Sequence, residues 1–165
     1  MSDPMILAEL CTEESPETEP NNPADIRLSA MNLLARREHS LRELRLKLQR
    51  RFGNDPLVDS ELQRLADENL QSNTRFAESY CRQRALRGFG PLRVRQEMRD
   101  RGLTDLEIVE AFEVVGVDWN VIAAAAFAKK FGQRGCDDLK EKSRRARFMQ
   151  YRGFSSVHYQ YMLEK

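Results

Sequence analysis

The 165-residue sequence predicts an all-α protein: three tandem three-helix repeats, helix-turn-helix-like, in an elongated, curved array. Three observations carry that reading. All eight glycines, at 53, 88, 90, 102, 116, 132, 135 and 153, fall between segments of helical apolar spacing, where helix ends tolerate or need them. No segment alternates apolar and polar residues with the period of two that a half-buried strand shows. Finally, motifs recur after about fifty residues. Leu44-Arg45-x-x-Leu48-x-x-Arg51-Phe52 is echoed by Val94-Arg95-x-x-Met98-x-x-Arg101-Gly102, and Arg101-Gly102-Leu103 by Arg152-Gly153-Phe154. Three short helices enclose little core alone, so neighbouring repeats must stack. One closed nine-helix globule is the competing arrangement.

Residues 1–26 hold seven acids, no base and four of the six prolines, with little apolar beyond Met5–Leu10. They are expected to form a disordered acidic tail. The first helix is then expected over 29–37, capped by Ser29. Ser40 with Glu43 fits a capping box and opens 40–52, where Leu41, Leu44, Leu48 and Phe52 share a face. The third helix, 56–70, carries Leu62, Leu65 and Leu70 on one side and starts either at Asp55, followed by Pro56, or at Ser60. Ser72 or Asn73 opens 73–87. Pro91 after Gly90 suits the first position of 91–101, where its missing N–H costs nothing. Thr104 with Glu107 opens 105–115, in which Ile108, Val109 and Phe112 recur at helical spacing. Asp118 opens 119–131 with Trp119 as a core anchor, Asp138 with Glu141 opens 138–152, and Ser155 opens 156–163. The repeats are thus expected at 27–71, 72–117 and 118–165.

The net charge of +1 hides two opposed parts, because the acidic head leaves +8 on residues 27–165. Segments 27–51, 82–101 and 129–152 carry +6, +5 and +6, whereas 54–70 and 104–118 carry −4 and −5. Bases therefore fall on the first two helices of each early repeat and acids on the third. The longest apolar run, Val121–Ala128, is eight residues, far short of the roughly 18 a membrane helix needs. With no lysine or arginine before Arg27 there is no signal-peptide charge pattern, and a cytoplasmic monomer is expected.

Enzyme readings fail in turn. No P-loop, G-x-S-x-G elbow or H-E-x-x-H helix occurs, and Gly88-Phe89-Gly90-Pro91 lacks the strand that precedes a phosphate-binding glycine loop. Cys11, Cys81 and Cys136 form no C-x-x-C pair, and neither His39 nor His158 stands at metal-ligand spacing. The cysteines are expected reduced, with no catalysis, cofactor or metal. The remaining functional signal is basic: Arg82, Arg84, Arg87, Arg93, Arg95 and Arg99 in one run, and Lys129, Lys130, Arg134, Lys140, Lys142, Arg144, Arg145, Arg147 and Arg152 in another. Tyr80, Phe89, Phe131, Phe148, Tyr151 and Phe154 lie among them. Taken together these residues are expected to form a partner-binding face for acidic groups.

The ordered set Leu34-Ala35-Arg36-Arg37-Glu38-His39-Ser40-x-x-Glu43-Leu44, Arg75-Phe76-Ala77-x-x-Tyr80, Gly88-x-Gly90-Pro91-x-Arg93-x-Arg95, Asp118-Trp119, Lys129-Lys130-Phe131, Lys140-Glu141-Lys142 and Arg147-Phe148-x-Gln150-Tyr151-Arg152-Gly153-Phe154 resembles the RecX family of recombinase regulators. The resemblance runs from about Ile26 to the C-terminus; Leu139, where proline is expected, and Tyr159, where an aliphatic residue is usual, depart from it. It implies three three-helix repeats, binding to the RecA–DNA filament along its groove, and damping of ATP hydrolysis and strand exchange without chemistry of its own. Whether the basic helices meet filament acids or DNA phosphates stays open. The alternative is a stand-alone nonspecific DNA-binding protein of helix-turn-helix-like units. Sequence reading by such units would place base-contacting side chains on third helices that here carry Asp59, Glu61, Asp105 and Glu107.

Overall fold

The computed structural model describes residues 20–132, 135 and 138–164. Among them it forms nine helices: α1 (Pro23–Leu34), α2 (Leu41–Phe52), α3 (Pro56–Asp67), α4 (Asn73–Leu86), α5 (Pro91–Asp100), α6 (Asp105–Val115), α7 (Trp119–Phe131), α8 (Leu139–Arg152) and α9 (Ser156–Leu163). Helices pack mostly against partners in their own consecutive triplet, and α4 of the second triplet also packs against α7 of the third. Each triplet has its own core. Ile26, Ala30, Leu44, Leu48, Val58, Leu62 and Leu65 fill the first. Phe76, Ala77, Cys81, Val94, Met98, Leu103, Ile108 and Ala111 fill the second. Ala123, Phe127, Met149, Phe154 and Tyr159 fill the third. The chain is an all-α repeat array.

Local chemistry explains the element ends. Thr104 and Glu107 make a full capping box: Glu107 N–H donates to Thr104 Oγ1 at 3.3 Å and Thr104 N–H donates to Glu107 Oε2 at 2.7 Å. The other two expected boxes are half-built. Ser40 Oγ accepts from Glu43 N–H, but the Glu43 carboxylate binds Arg37 and Arg101 instead of returning to the cap. Asp138 accepts from the N–H groups of Lys140 and Glu141, while the Glu141 carboxylate holds Arg144 and Arg145. Asp55, not Ser60, caps α3, and Ser72, not Asn73, caps α4.

The first helix starts six residues before the expected Ser29. Asn22 Oδ1 accepts from Ala24 N–H at 3.0 Å, Pro23 sits in the first turn, and Ile26 is fully buried beside Ala30. Pro23, Ala24, Asp25 and Ile26 therefore belong to a helix rather than to the acidic tail, because a proline in the first turn supports a helix. Residues 1–19 lie outside the described residues. Helix α3 ends at Asp67 instead of Leu70, and Asn69 then turns the chain at φ 56°.

The fifty-residue echo marks the joints between triplets. The start of one triplet's middle helix meets the end of the next triplet's middle helix. Ser40 Oγ, at the start of α2, donates to Arg101 O at 2.8 Å, beyond α5. Gly90 N–H, at the start of α5, donates to Arg152 O at 2.8 Å, and Leu92 N–H to Gly153 O at 3.1 Å, at the end of α8. Backbones approach so closely at the second joint that a Cβ on Gly90 would lie 2.4 Å from Gly153 O. The first joint is a polar network in which Asn73 Oδ1 accepts from Leu41 N–H and Gln71 Nε2, while Asn73 Nδ2 donates to Glu107. The expected anchor Trp119 opens α7 but packs on the second core, its ring 5.4 Å from Phe112.

Candidate partner-binding face

The expected basic residues separate into groups that hold the fold and groups that face outward. Arg84 and Arg93 converge on Glu97, at 2.6 and 3.0 Å, and Tyr80 donates its hydroxyl to the same carboxylate at 2.8 Å. Burial works to raise the Glu97 pKa, yet the hydrogen bonds from Arg84, Arg93 and Tyr80 hold it below the ordinary carboxylate range. Phe89 is ringed by Arg84, Arg93 and Arg152, whose guanidinium carbons lie 4.6, 4.5 and 5.1 Å from its centroid. Arg93 also donates to Tyr151 O at 3.2 Å, and Arg152 to Arg87 O at 2.9 Å. Arg93 and Arg152 thereby join the second triplet to the third, while Arg84 braces the second from within.

Others are similarly engaged. Arg82 pairs with Glu78, Arg99 with Asp105 and Arg144 with Glu141. Arg95 lies over the Phe112 ring at 5.7 Å. Arg145 is buried, at 6 % exposure, between Glu141 and the rings of Phe127 and Phe131. On a helix, one residue of rotation turns Arg145 inward, four positions before the buried Met149, while Arg144 and Arg147 face outward. The run Arg144, Arg145, Arg147 is therefore not one exposed face. Lys140, Arg144 and Arg147 share a hollow with Asp138 and Glu141, and Lys142 lines a separate one by α9. Arg134, Cys11 and Cys136 lie outside the described residues.

Exposed Arg87, Lys129 and Lys130 come together differently. With the half-buried Arg152 they rim a cleft of about 400 Å³ between the end of α4 and helices α7 and α8. Its floor is apolar, built from Ala85, Leu86, Ile122, Ala125, Ala126 and Phe148, and none of the described residues lining it is a carboxylate. Leu86 is 87 % exposed at its edge. An apolar floor under a cationic rim suits a partner that offers apolar contact flanked by negative charge. The cleft lies across the joint between two triplets.

The family model for the second three-helix domain of RecX matches residues 72–111, and that for the third matches 122–156. Regulatory protein RecX of Ectopseudomonas mendocina is 42 % identical over 135 residues, spanning 82 % of this chain and 90 % of that protein. The chain belongs to the RecX family. Regulatory protein RecX of Pseudomonas putida strain GB-1 is 41 % identical over 134 residues, 81 % of this chain and 86 % of that protein. The crystal structure of RecX from Lactobacillus salivarius matches with a TM-score of 0.66 at 18 % identity, covering 86 % of this chain and 94 % of that one. RecX membership agrees with the resemblance read from the sequence.

No group of three or more His, Cys, Asp or Glu residues is placed to hold a metal among the described residues. The Cys81 thiol is fully buried, and burial pushes its pKa up to about 11, so it is protonated and a poor nucleophile. His158 Nδ1 meets the Ser155 N–H and hydroxyl at the start of α9. No single helix among the described residues is long and apolar enough to cross a membrane. Residues missed in the sequence lie on the first triplet: Arg36, Lys47, Arg50 and Arg51 line one hollow, and the +6 charge of segment 27–51 was the signal that could have found them.

Proposed function

We propose that this protein is a cytoplasmic, non-enzymatic regulator that binds the RecA–DNA filament and inhibits the recombinase's ATPase and strand exchange. The observation that carries the reading is the cleft at the second joint, where Arg87, Lys129 and Lys130 stand over an apolar floor without a carboxylate among the lining residues. RecX-family membership over most of the chain supports the choice of partner. A protein that performs no chemistry inhibits by preferring one filament state, and it shifts the population only by its difference in affinity for the two states. An array of three triplets gives contacts on successive repeats, so one chain can span neighbouring filament subunits and resist the rearrangement that turnover needs.

Lys129→Glu with Lys130→Glu tests the reading. Both side chains are exposed and away from the cores, so helicity by circular dichroism should be unchanged. Placing like charge against an acidic partner costs several kcal/mol, so the concentration giving half-inhibition of recombinase ATPase should rise at least about tenfold. Inhibition at the wild-type concentration would overturn the assignment of this cleft.

A further inference from the structure

A second cationic hollow lies on the first triplet. Ser29, Asn32, Leu33 and Arg36 of α1 and the segment that follows it face Lys47, Leu48, Arg50 and Arg51 of α2 across a space of about 430 Å³. Arg36, Arg50 and Arg51 are exposed, Lys47 is half-buried, and none of the described residues lining the hollow is a carboxylate. Several other arginines on this molecule are met by acids of a neighbouring turn or helix: Arg27 by Glu68, Arg45 by Asp59, Arg82 by Glu78 and Arg99 by Asp105. The four cations of the hollow have no such partner among the described residues.

We propose that this hollow is a phosphodiester-binding site that takes the backbone of a nucleic acid strand. Lys47 and Arg51 are one helical turn apart, so their side chains lie about 5–6 Å from each other at the Cβ atoms and can meet successive charges along a strand. Arg50 and Arg51 also gain from the negative end of the α2 dipole. That does not account for Lys47, which precedes the last turn. The Lys47 ammonium is held in place by His39, whose Nε2 lies 2.8 Å from Nζ. Its pKa is lowered by burial and by the charges of Arg37, Arg50 and Arg36, an arrangement that an incoming anion relieves. Ser29 and Asn32 add neutral hydrogen-bonding groups of the kind that contact phosphate oxygens, and guanidinium forks pair with phosphates through two bonds. Uncompensated charge at this density suits a strand with one phosphate per residue better than a mixed-sign protein surface.

The test uses the full chain and a fluorescent single-stranded oligonucleotide, with no recombinase present, so its outcome is independent of filament binding. Arg36→Gln, Arg50→Gln and Arg51→Gln are combined, because all three side chains are exposed and their loss leaves the cores intact. Affinity should fall at least about tenfold at low salt, and the slope of log affinity against log salt should shrink by about 2, since each phosphate contact on a single strand contributes about 0.7. The Lys129→Gln, Lys130→Gln chain should keep both values. Unchanged affinity and slope in the triple variant would overturn the proposal, as would an equal loss in the Lys129, Lys130 variant, which would show only diffuse attraction by net charge.

Discussion

His39 is 2 % exposed and has both ring nitrogens engaged, Nδ1 at 3.0 Å from Arg37 O and Nε2 at 2.8 Å from Lys47 Nζ. The neutral ring satisfies both contacts, donating from Nδ1 to the carbonyl and accepting at Nε2 from the ammonium. Protonation would set a donor against the ammonium. Burial first, then the charges of Arg37 and Lys47, accordingly lower the His39 pKa. Between that lowered value and the unfolded value of about 6.5, the unfolded chain binds more protons, so stability is lost as pH falls through this window and is complete above it. Urea unfolding between about pH 7 and pH 5 should show a decline that His39→Gln, which stays neutral throughout, reduces. The same slope in both proteins would mean that His39 does not titrate against its neighbours. The fate of single basic residues was hardly legible in the sequence. Arg144, Arg145 and Arg147 look alike as a run, and only the four-residue offset from Met149 marks Arg145 as inward. Nor does chain position show that Arg84 and Arg93 share Glu97, since Arg84 comes from a different helix.

Helices were the most legible level, because caps, glycines and apolar spacing act locally. Eight of the nine begin within one residue of the expected position, and the exception, α1, has a proline in its first turn that was read as a mark of disorder. A truncation ending at residue 25 would remove the Asn22 cap and the bond from Asn21 Nδ2 to Phe52 O, so the boundary of any dispensable head lies before Asn21. Burial within helices was read less well. Leu48 is 1 % exposed, as its spacing implies, but Phe112 is only half-buried, lying between Trp119 and Arg95, while Ile108 and Ala111 are the buried residues of α6. Leu48→Ala and Ile108→Ala should each cost ~2–5 kcal/mol in chemical unfolding, and Thr104→Ala nearer ~1 kcal/mol through the lost cap. Near-wild-type midpoints for both core variants would show that the triplets do not depend on these clusters.

At the scale of the molecule, the fifty-residue echo foretold a repeat, but its physical meaning came from contacts between residues far apart in sequence. Gly90 against Gly153 and Ser40 against Arg101 show that the echoed motifs are the surfaces by which triplets join. Two outward cationic sites follow from this arrangement, one on the first triplet and one spanning the second joint. The first accounts for contact with a nucleic acid strand alone; the second, with its apolar floor, calls for a protein surface. Co-sedimentation of the full chain with preformed RecA–DNA filaments, compared with an equal amount of the same naked DNA, separates these contributions most directly. Tighter binding to filaments is expected, with the filament-bound fraction persisting as salt rises from about 50 to 200 mM while binding to naked DNA falls steeply. Equal binding to both, lost in parallel with salt, would contradict it and leave a nonspecific DNA-binding protein.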